Sequence, residues 1–221
     1  MAGLFIAIEG PDGVGKSDVS VRLADAIRRS GRDIMLVRDP GGSPTAEQVR
    51  HLLSLLLAAR VGPVPEVLAY SLSRAISTKE VVAPALAQGK VVVSDRWGMS
   101  TRAYQYGRDA TADYLIGVLE NTLSTFCVEQ AGRDVSPDVY VVLTADPGVL
   151  VQRLAYRADQ RGVDMEDPSP AELARIQDRY LEIMSGGSPM ASRTIHVDTT
   201  AKQPQAVCDE IMVALKKRGV L

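Results

Sequence analysis

Eight consecutive residues, Gly10-Pro11-Asp12-Gly13-Val14-Gly15-Lys16-Ser17, fit G-x-x-x-x-G-K-[ST] at every fixed position. They follow an apolar run of strand length, Leu4 to Ile8, and precede a helical stretch, the context that gives this pattern its meaning. Its glycines let backbone N–H groups turn inward around a β-phosphate at dihedrals that a Cβ would resist. Lys16 would supply a point charge to the β- and γ-phosphates, and the Ser17 hydroxyl is placed to ligate Mg²⁺. A glycine-rich turn that only capped a helix would not need all these positions in register. The loop therefore predicts binding of a purine nucleoside triphosphate with Mg²⁺.

Phosphate binding does not name a reaction, because switch GTPases, motor ATPases and small-molecule kinases share this loop. The guanine-reading Asn-Lys-x-Asp of the GTPases is absent. Instead the second apolar run ends in Arg38-Asp39-Pro40-Gly41-Gly42 and the third in Ser94-Asp95-Arg96-Trp97. Residues leaving the C-terminal ends of strands in an open α/β sheet converge on the ligand crevice. Arg38, Asp39, Asp95 and Arg96 are thus expected to face the phosphate loop.

The elements that must position these groups can be read from period and punctuation. Strands are predicted at 4–8, 34–37, 91–93, 139–143 and 194–197, alternating with helices at 16–30, 44–58, 65–88, 110–130, 147–156, 170–184 and 204–217. Five of those helices open on a proline, and Gly31 and Gly89 follow two of them, as expected of helix starts and stops. Nearly all-apolar strands with helices between them imply an α/β fold whose parallel sheet is covered on both faces. No repeat or linker divides residues 1–221, so a single domain is expected. The most polar stretch, 157–169, reads as a flap or a solvated loop.

Composition bounds the partners. Of 221 residues, 25 are Lys or Arg and 27 Asp or Glu, for a net charge of −2. That balance argues against a nucleic-acid polymer or a membrane surface as partner, and makes any positive site local. Arginines outnumber lysines 19 to six, and arginine is the side chain that forks onto phosphate and carboxylate. Cys127 and Cys208 fit neither a disulfide framework nor a metal spacing, and His51 and His196 belong to no zinc motif. The N-terminus reads as neither signal peptide nor membrane span, so a cytoplasmic location is expected.

Taken in order, the motifs resemble the thymidylate (dTMP) kinase family of P-loop nucleoside monophosphate kinases. The resemblance runs nearly end to end, through Glu9 to Ser17, Arg38 to Gly42, Glu47-Gln48-Val49-Arg50, Tyr70 to Arg74, Asp95-Arg96-Trp97, Ser100 to Gln105, Pro137-Asp138 and the polar flap. It implies a three-layer α/β/α P-loop kinase fold with a five-stranded parallel sheet and a short flap. It also implies ATP as donor, dTMP as acceptor, Mg²⁺ as cofactor and a homodimer.

Site roles follow from the same resemblance. Tyr70 aligns with the aromatic that stacks on thymine, and Arg74, four residues on, with the donor to thymine O4. Arg96 would hold the acceptor phosphate and bridge to the transferring group, while Asp95 would organise Mg²⁺ directly or through water. Asp12 sits where the family's carboxylate meets the sugar 3′-hydroxyl. Arg50 matches a contact to the acceptor phosphate, and Arg38 with Asp39 matches the family's Arg-Glu turn, one methylene shorter at Asp39. Ser100, Thr101, Tyr104 and Gln105 follow the family pattern in which the Thr101 and Gln105 positions line the base pocket and Tyr104 crowds the place of a ribose 2′-hydroxyl. Trp97 stands where the family has Tyr.

Because Gly13 follows Asp12, the chain resembles members that keep a catalytic arginine in the flap. Arg161 is favoured there, Arg157 is second, and Arg153 lies beside them. Flap closure would both deliver that arginine and exclude water. Two further departures are Asp18, where Thr is usual, and a longer connection at about 129–136. Other acceptors remain open at this point, namely dUMP, 5-hydroxymethyl-dUMP or a deoxynucleoside, as does a non-catalytic nucleotide switch.

Overall fold

A computed structural model of the chain describes residues 3–131, 134–161 and 169–221, without the side chains of 127–131 and 157–161. The five apolar runs form one parallel sheet: β1 (Leu4–Glu9), β2 (Ile34–Arg38), β3 (Val91–Asp95), β4 (Val139–Thr144) and β5 (Thr194–Asp198), in the order β2-β3-β1-β4-β5. Side chains alternate between the faces of β1. Leu4, Ile6 and Ile8 pack on one side with Val19, Leu23 and Ile27 and with Ile211 and Leu215; Phe5 and Ala7 pack on the other with Trp97, Met99, Ala103, Ile176 and Tyr180.

Every strand runs one or two residues beyond its expected end. The added residues are polar: Glu9, Arg38, Ser94 with Asp95, Thr144 and Asp198. A reading by apolar runs stops at the first polar side chain, whereas the ladder needs only backbone groups. Ile8 and Arg38 both pair in register with Asp95, so the polar strand ends lie side by side along one edge of the sheet.

Helices α1 (Lys16–Arg29), α2 (Pro44–Ala58) and α3 (Pro63–Ser77) follow the first two strands, and α4 (Ala83–Ala87) leads into β3. The single helix expected over 65–88 is interrupted at Thr78–Val82 by a π-helical turn. Pro84 gives the physical reason: it has no N–H for the carbonyl of Glu80, and its ring crowds that carbonyl. After β3 comes α5 (Gly98–Gln105), a helix the hydrophobic period did not reveal because its inward face includes buried Thr101 and Gln105. The remaining helices are α6 (Ala110–Ala131), α7 (Pro147–Arg161), α8 (Pro170–Ser185), α9 (Pro189–Ser192) and α10 (Pro204–Lys217).

Helix α7 reaches Arg161 rather than Tyr156, so the first residues expected in the flap continue a helix. Positions 162–168 of that flap lie outside the described residues. Cys208 is a buried free thiol on α10, and the Cys127 side chain is also outside the described set. Among the described residues no helix is long and apolar enough to cross a membrane.

Candidate active site

The phosphate loop joins β1 to α1. Gly10 adopts a φ of 138°, and a Cβ there would lie 2.3 Å from the Leu143 carbonyl oxygen, so strand packing alone demands glycine. Gly15, at φ 96°, is the residue before α1 and turns the chain into it. The Lys16 ammonium is folded inward, donating to the Pro11 carbonyl at 2.7 Å and lying 3.9 Å from Asp12. Burial, and then the Arg96 charge, lowers its pKa to about 8, while Asp12, Asp95 and Glu9 oppose that shift. Beside it the Ser17 hydroxyl donates to Asp95 Oδ2 at 2.6 Å. This pair offers Mg²⁺ a hydroxyl and a carboxylate at the mouth of a phosphate loop, and hard oxygens of this kind suit that ion.

Arg96 occupies the centre of the site. Its φ of 70° is unusual for a residue with a side chain. Its N–H donates to the Ile8 carbonyl at 2.9 Å and its carbonyl accepts from Ser94 Oγ at 2.6 Å, which fixes the turn between β3 and α5. From that turn Nη1 reaches the Gly10 carbonyl at 3.1 Å and Ser100 Oγ at 3.2 Å, and Nη2 reaches the Tyr104 hydroxyl at 2.9 Å and the Asp12 carboxylate. Burial alone would raise the Asp12 pKa, but the charges of Arg96 and Lys16 outweigh it and hold this carboxyl well below the usual range. Tyr104 completes the group by donating to Asp12 Oδ2 at 2.9 Å, and burial keeps its phenol protonated.

The sequence did not single out Glu9 as a site residue, yet its side chain is fully buried directly beneath this cluster. It accepts from the Trp97 N–H at 2.9 Å, Ser100 Oγ at 2.5 Å and the Tyr180 hydroxyl at 3.2 Å. Burial pushes its carboxyl up to about 7, against the lowering pull of the Ser100 hydrogen bond and the Arg96 charge. The available signal was an acidic residue closing an otherwise apolar strand.

A second buried cation lies farther from the loop. Arg74 on α3 donates to Asp39 Oδ2 through Nε at 3.0 Å and Nη2 at 2.7 Å, and from Nη2 to Thr101 Oγ1 at 2.9 Å. Its guanidinium also lies 5.6 Å from the centre of the Trp97 ring. Asp39 is therefore drawn to Arg74 rather than toward the phosphate loop. Tyr70, one turn earlier on α3, packs beside Val49, Leu53 and Ala69, and Gln105 is buried at the end of α5.

Arg38, at the end of β2 beside Asp95, has a carboxylate partner of its own. It forks onto Glu47 of α2, with Nε to Oε1 at 3.0 Å and Nη2 to Oε2 at 2.7 Å, because the two side chains leave adjacent ends of β2 and α2. Arg50, on the same helix, donates to the Pro40 carbonyl at 3.0 Å. Arg153 is not free to serve the flap: it donates to Thr199 Oγ1 at 3.0 Å and to the Thr199 carbonyl at 2.8 Å, bracing the loop after β5 against α7. That loop in turn touches the phosphate loop, Thr199 Oγ1 donating to the Val14 carbonyl at 3.4 Å. The side chains of Arg157 and Arg161 lie outside the described residues.

Comparison with known proteins matches this geometry to a family. The family model described as thymidylate kinase matches residues 8–211. The thymidylate kinase of Trichlorobacter lovleyi is 34% identical over 220 residues, spanning 97% of this chain and 98% of its own length. That of Caulobacter vibrioides is 39% identical over 184 residues, covering 82% of each. Among solved structures, the crystal structure of thymidylate kinase from Ehrlichia chaffeensis superposes with a TM-score of 0.72 at 25% identity, covering 97% of this chain and all of that one. With its phosphate loop, parallel sheet and strand-end arginine in place, the chain belongs to the thymidylate kinase family.

Proposed function

We propose that the protein transfers the γ-phosphoryl group of ATP to dTMP, giving dTDP and ADP. The observation that carries this reading is the Arg96 guanidinium, which touches the phosphate loop at Gly10 and Asp12 on one side and α5 at Ser100 and Tyr104 on the other. A cation so placed lies between a donor held by the loop and an acceptor held by α3 and α5. An oxygen of the dTMP phosphate attacks the γ-phosphorus, the bond from that phosphorus to the β,γ-bridging oxygen breaks, and ADP leaves. No general base is needed, because the acceptor is already anionic and catalysis is positioning and charge neutralisation.

Each residue then has a task. The loop N–H groups and Lys16 hold the β- and γ-phosphates, and Arg96 holds the acceptor against them. Ser17 and Asp95 would hold Mg²⁺, which when bound neutralises charge on the donor phosphates. Tyr70 stacks on the base, while Thr101, Gln105 and Ser100 line its surroundings. The bonds of Arg74 to Asp39 and Thr101 use Nε and Nη2, leaving Nη1 for an acceptor such as thymine O4. Asp12 meets the 3′-hydroxyl, with Tyr104 against the 2′ position. Arg50 and Arg38 add charge at the mouth, and Arg161, with Arg157 second, would complete the site from the flap.

We further infer a homodimer working in the cytoplasm, the compartment of its nucleotide substrates. Exposed Leu52 and Leu55 on α2, Leu68 and Leu72 on α3, and Tyr114 and Val118 on α6 recur at spacings of three or four. These stripes lie on neighbouring helices, and apolar surface of this kind marks an interface.

The test of the reaction is ADP release with ATP and a panel of dTMP, dUMP, 5-hydroxymethyl-dUMP, dCMP and thymidine. Turnover fastest with dTMP is expected. Faster turnover with another acceptor would overturn the substrate, and no stimulation by any acceptor would favour a nucleotide switch.

A further inference from the structure

Glu9 does something that packing does not require. By strand alternation its side chain enters the same face as Phe5 and Ala7, where an apolar residue would be buried at less cost than a carboxylate. The site holds three donors aimed at it, and two of them come from the segment that carries Arg96. Trp97, whose N–H meets Oε1 at 2.9 Å, is the residue immediately after Arg96 and so pins the unusual backbone there. Ser100 donates to Oε2 at 2.5 Å while accepting from Arg96 Nη1 at 3.2 Å.

The carboxylate therefore grips Arg96 at both ends, at its backbone and, through one hydroxyl, at its guanidinium. An ionised carboxylate only accepts, so the Ser100 proton turns toward Glu9 and a Ser100 lone pair remains for Arg96. A neutral amide of the same shape would present an N–H₂ to one of these donors and disturb that order. The ionisable and charged groups facing Glu9 are Arg96 from the β3–α5 turn, Arg74 from α3, Lys16 from α1, Tyr140 from β4 and Tyr180 from α8. The three cations favour the ionised form, against the burial that disfavours it.

We propose that Glu9 is a positioning residue for phosphoryl transfer, its carboxylate setting both the backbone and the guanidinium of Arg96 through the Trp97 N–H and the Ser100 hydroxyl. This rests on the reading of Arg96 as the residue that holds the acceptor phosphate. Glu9 touches no phosphate itself, so its removal acts on kcat through Arg96 and not on the grip of the loop on ATP.

The test is steady-state kinetics with ATP and dTMP between pH 6 and 9 for the wild type, Glu9→Gln, Ser100→Ala, the double variant and Arg96→Ala. Glu9→Gln is expected to lower kcat by at least about tenfold while KM for ATP stays within about twofold, the split expected of misplacement at the reacting centre. The fall of wild-type kcat toward low pH should be lost in Glu9→Gln, and the two single losses should combine to less than their product, because both cut one relay. Wild-type kcat and an unchanged pH profile in Glu9→Gln, with Arg96→Ala inactive, would overturn the proposal and leave the Arg96 reading standing. An active Arg96→Ala protein would overturn both. Should Glu9→Gln fail to fold, Ser100→Ala, which keeps the carboxylate, decides by the same kcat criterion, and wild-type kcat in that variant is equally fatal.

Discussion

The Tyr104 hydroxyl donates to Asp12 at 2.9 Å while Arg96 Nη2 donates to that hydroxyl at the same distance. Beyond the wall against a 2′-hydroxyl proposed for it, Tyr104 has a second task, because its oxygen links the carboxylate of the phosphate loop to the guanidinium of the β3–α5 turn. Bulk and hydroxyl have separable consequences. Tyr104→Phe keeps the ring and removes the link, and hydrogen bonds to charged groups contribute about 1.5–3 kcal/mol. A loss of roughly tenfold or more in kcat/KM for dTMP is expected, with the preference for dTMP over its ribonucleotide counterpart unchanged. Comparing kcat/KM for the two acceptors checks this, and a collapse of the preference would return discrimination to the hydroxyl.

The hydrogen bond from Ser17 to Asp95 joins the residue after the loop lysine to the end of β3. Asp95→Asn keeps the shape and removes the charge. Residues that orient a metal site change affinity by about 10–100-fold when altered. The Mg²⁺ concentration for half-maximal turnover should rise within that range, while excess chelator should stop turnover in both proteins. A Mg²⁺ titration of the rate reads this directly, and coincident curves would remove Asp95 from the metal site.

Arg74 and Asp39 form a pair in which each side chain is almost wholly withdrawn from solvent, with exposures of 7% and 2%. Removing one partner of such a pair strands a buried charge, at a cost of about 3–5 kcal/mol. Asp39→Ala should therefore lower stability by that order in a urea titration. Arg38→Ala, which breaks an exposed pair with Glu47, should cost less than about 1 kcal/mol. Equal losses in the two variants would deny the Asp39–Arg74 pair its structural weight.

The leucines on α2 and α3 make the dimer testable. Leu72 is half exposed on α3, so a charge there disturbs no core but opposes burial in an interface. Leu72→Glu is expected to shift the mass in sedimentation equilibrium from two chains toward one, without loss of helical content. A wild-type mass that already corresponds to one chain would sink the dimer.

What the sequence made legible was whatever is local in the chain. The phosphate loop could be placed to the residue because strand, glycines, lysine and helix are contiguous, and the five strands were visible as apolar runs. The polar strand ends were not, since Glu9 and Asp95 interrupt the pattern that defines a strand while their backbones continue the ladder. Helix α5 escaped for a related reason: its buried face includes Thr101 and Gln105, which a hydrophobic period does not count. Partner choice was out of reach as well. Arg38 with Glu47 is nine residues distant and Arg74 with Asp39 thirty-five, and only the fold decides which arginine meets which carboxylate.

Glu9 also links stability to pH, with a sign that can be fixed in advance. Its carboxyl is raised from an ordinary 4.5 to about 7 in the folded protein, so the folded state binds its proton more tightly than the unfolded chain does. The resulting stabilisation is fully present below about pH 4.5 and is lost as the pH rises through 7. Above that, the fold carries a buried carboxylate at a relative cost of about 3 kcal/mol, taking 1.36 kcal/mol per unit. Glu9→Gln removes the titration. Thermal melts at pH 5, 6, 7 and 8 should show the Tm of the variant gaining on the wild type by several degrees across the series, since about 1 kcal/mol moves a domain of this size by roughly 2–4 °C. A difference in Tm that stays flat from pH 5 to 8 would mean that Glu9 does not ionise in this window. A gain in stability accompanied by a loss of kcat would place the carboxylate among groups kept for position at the expense of the fold.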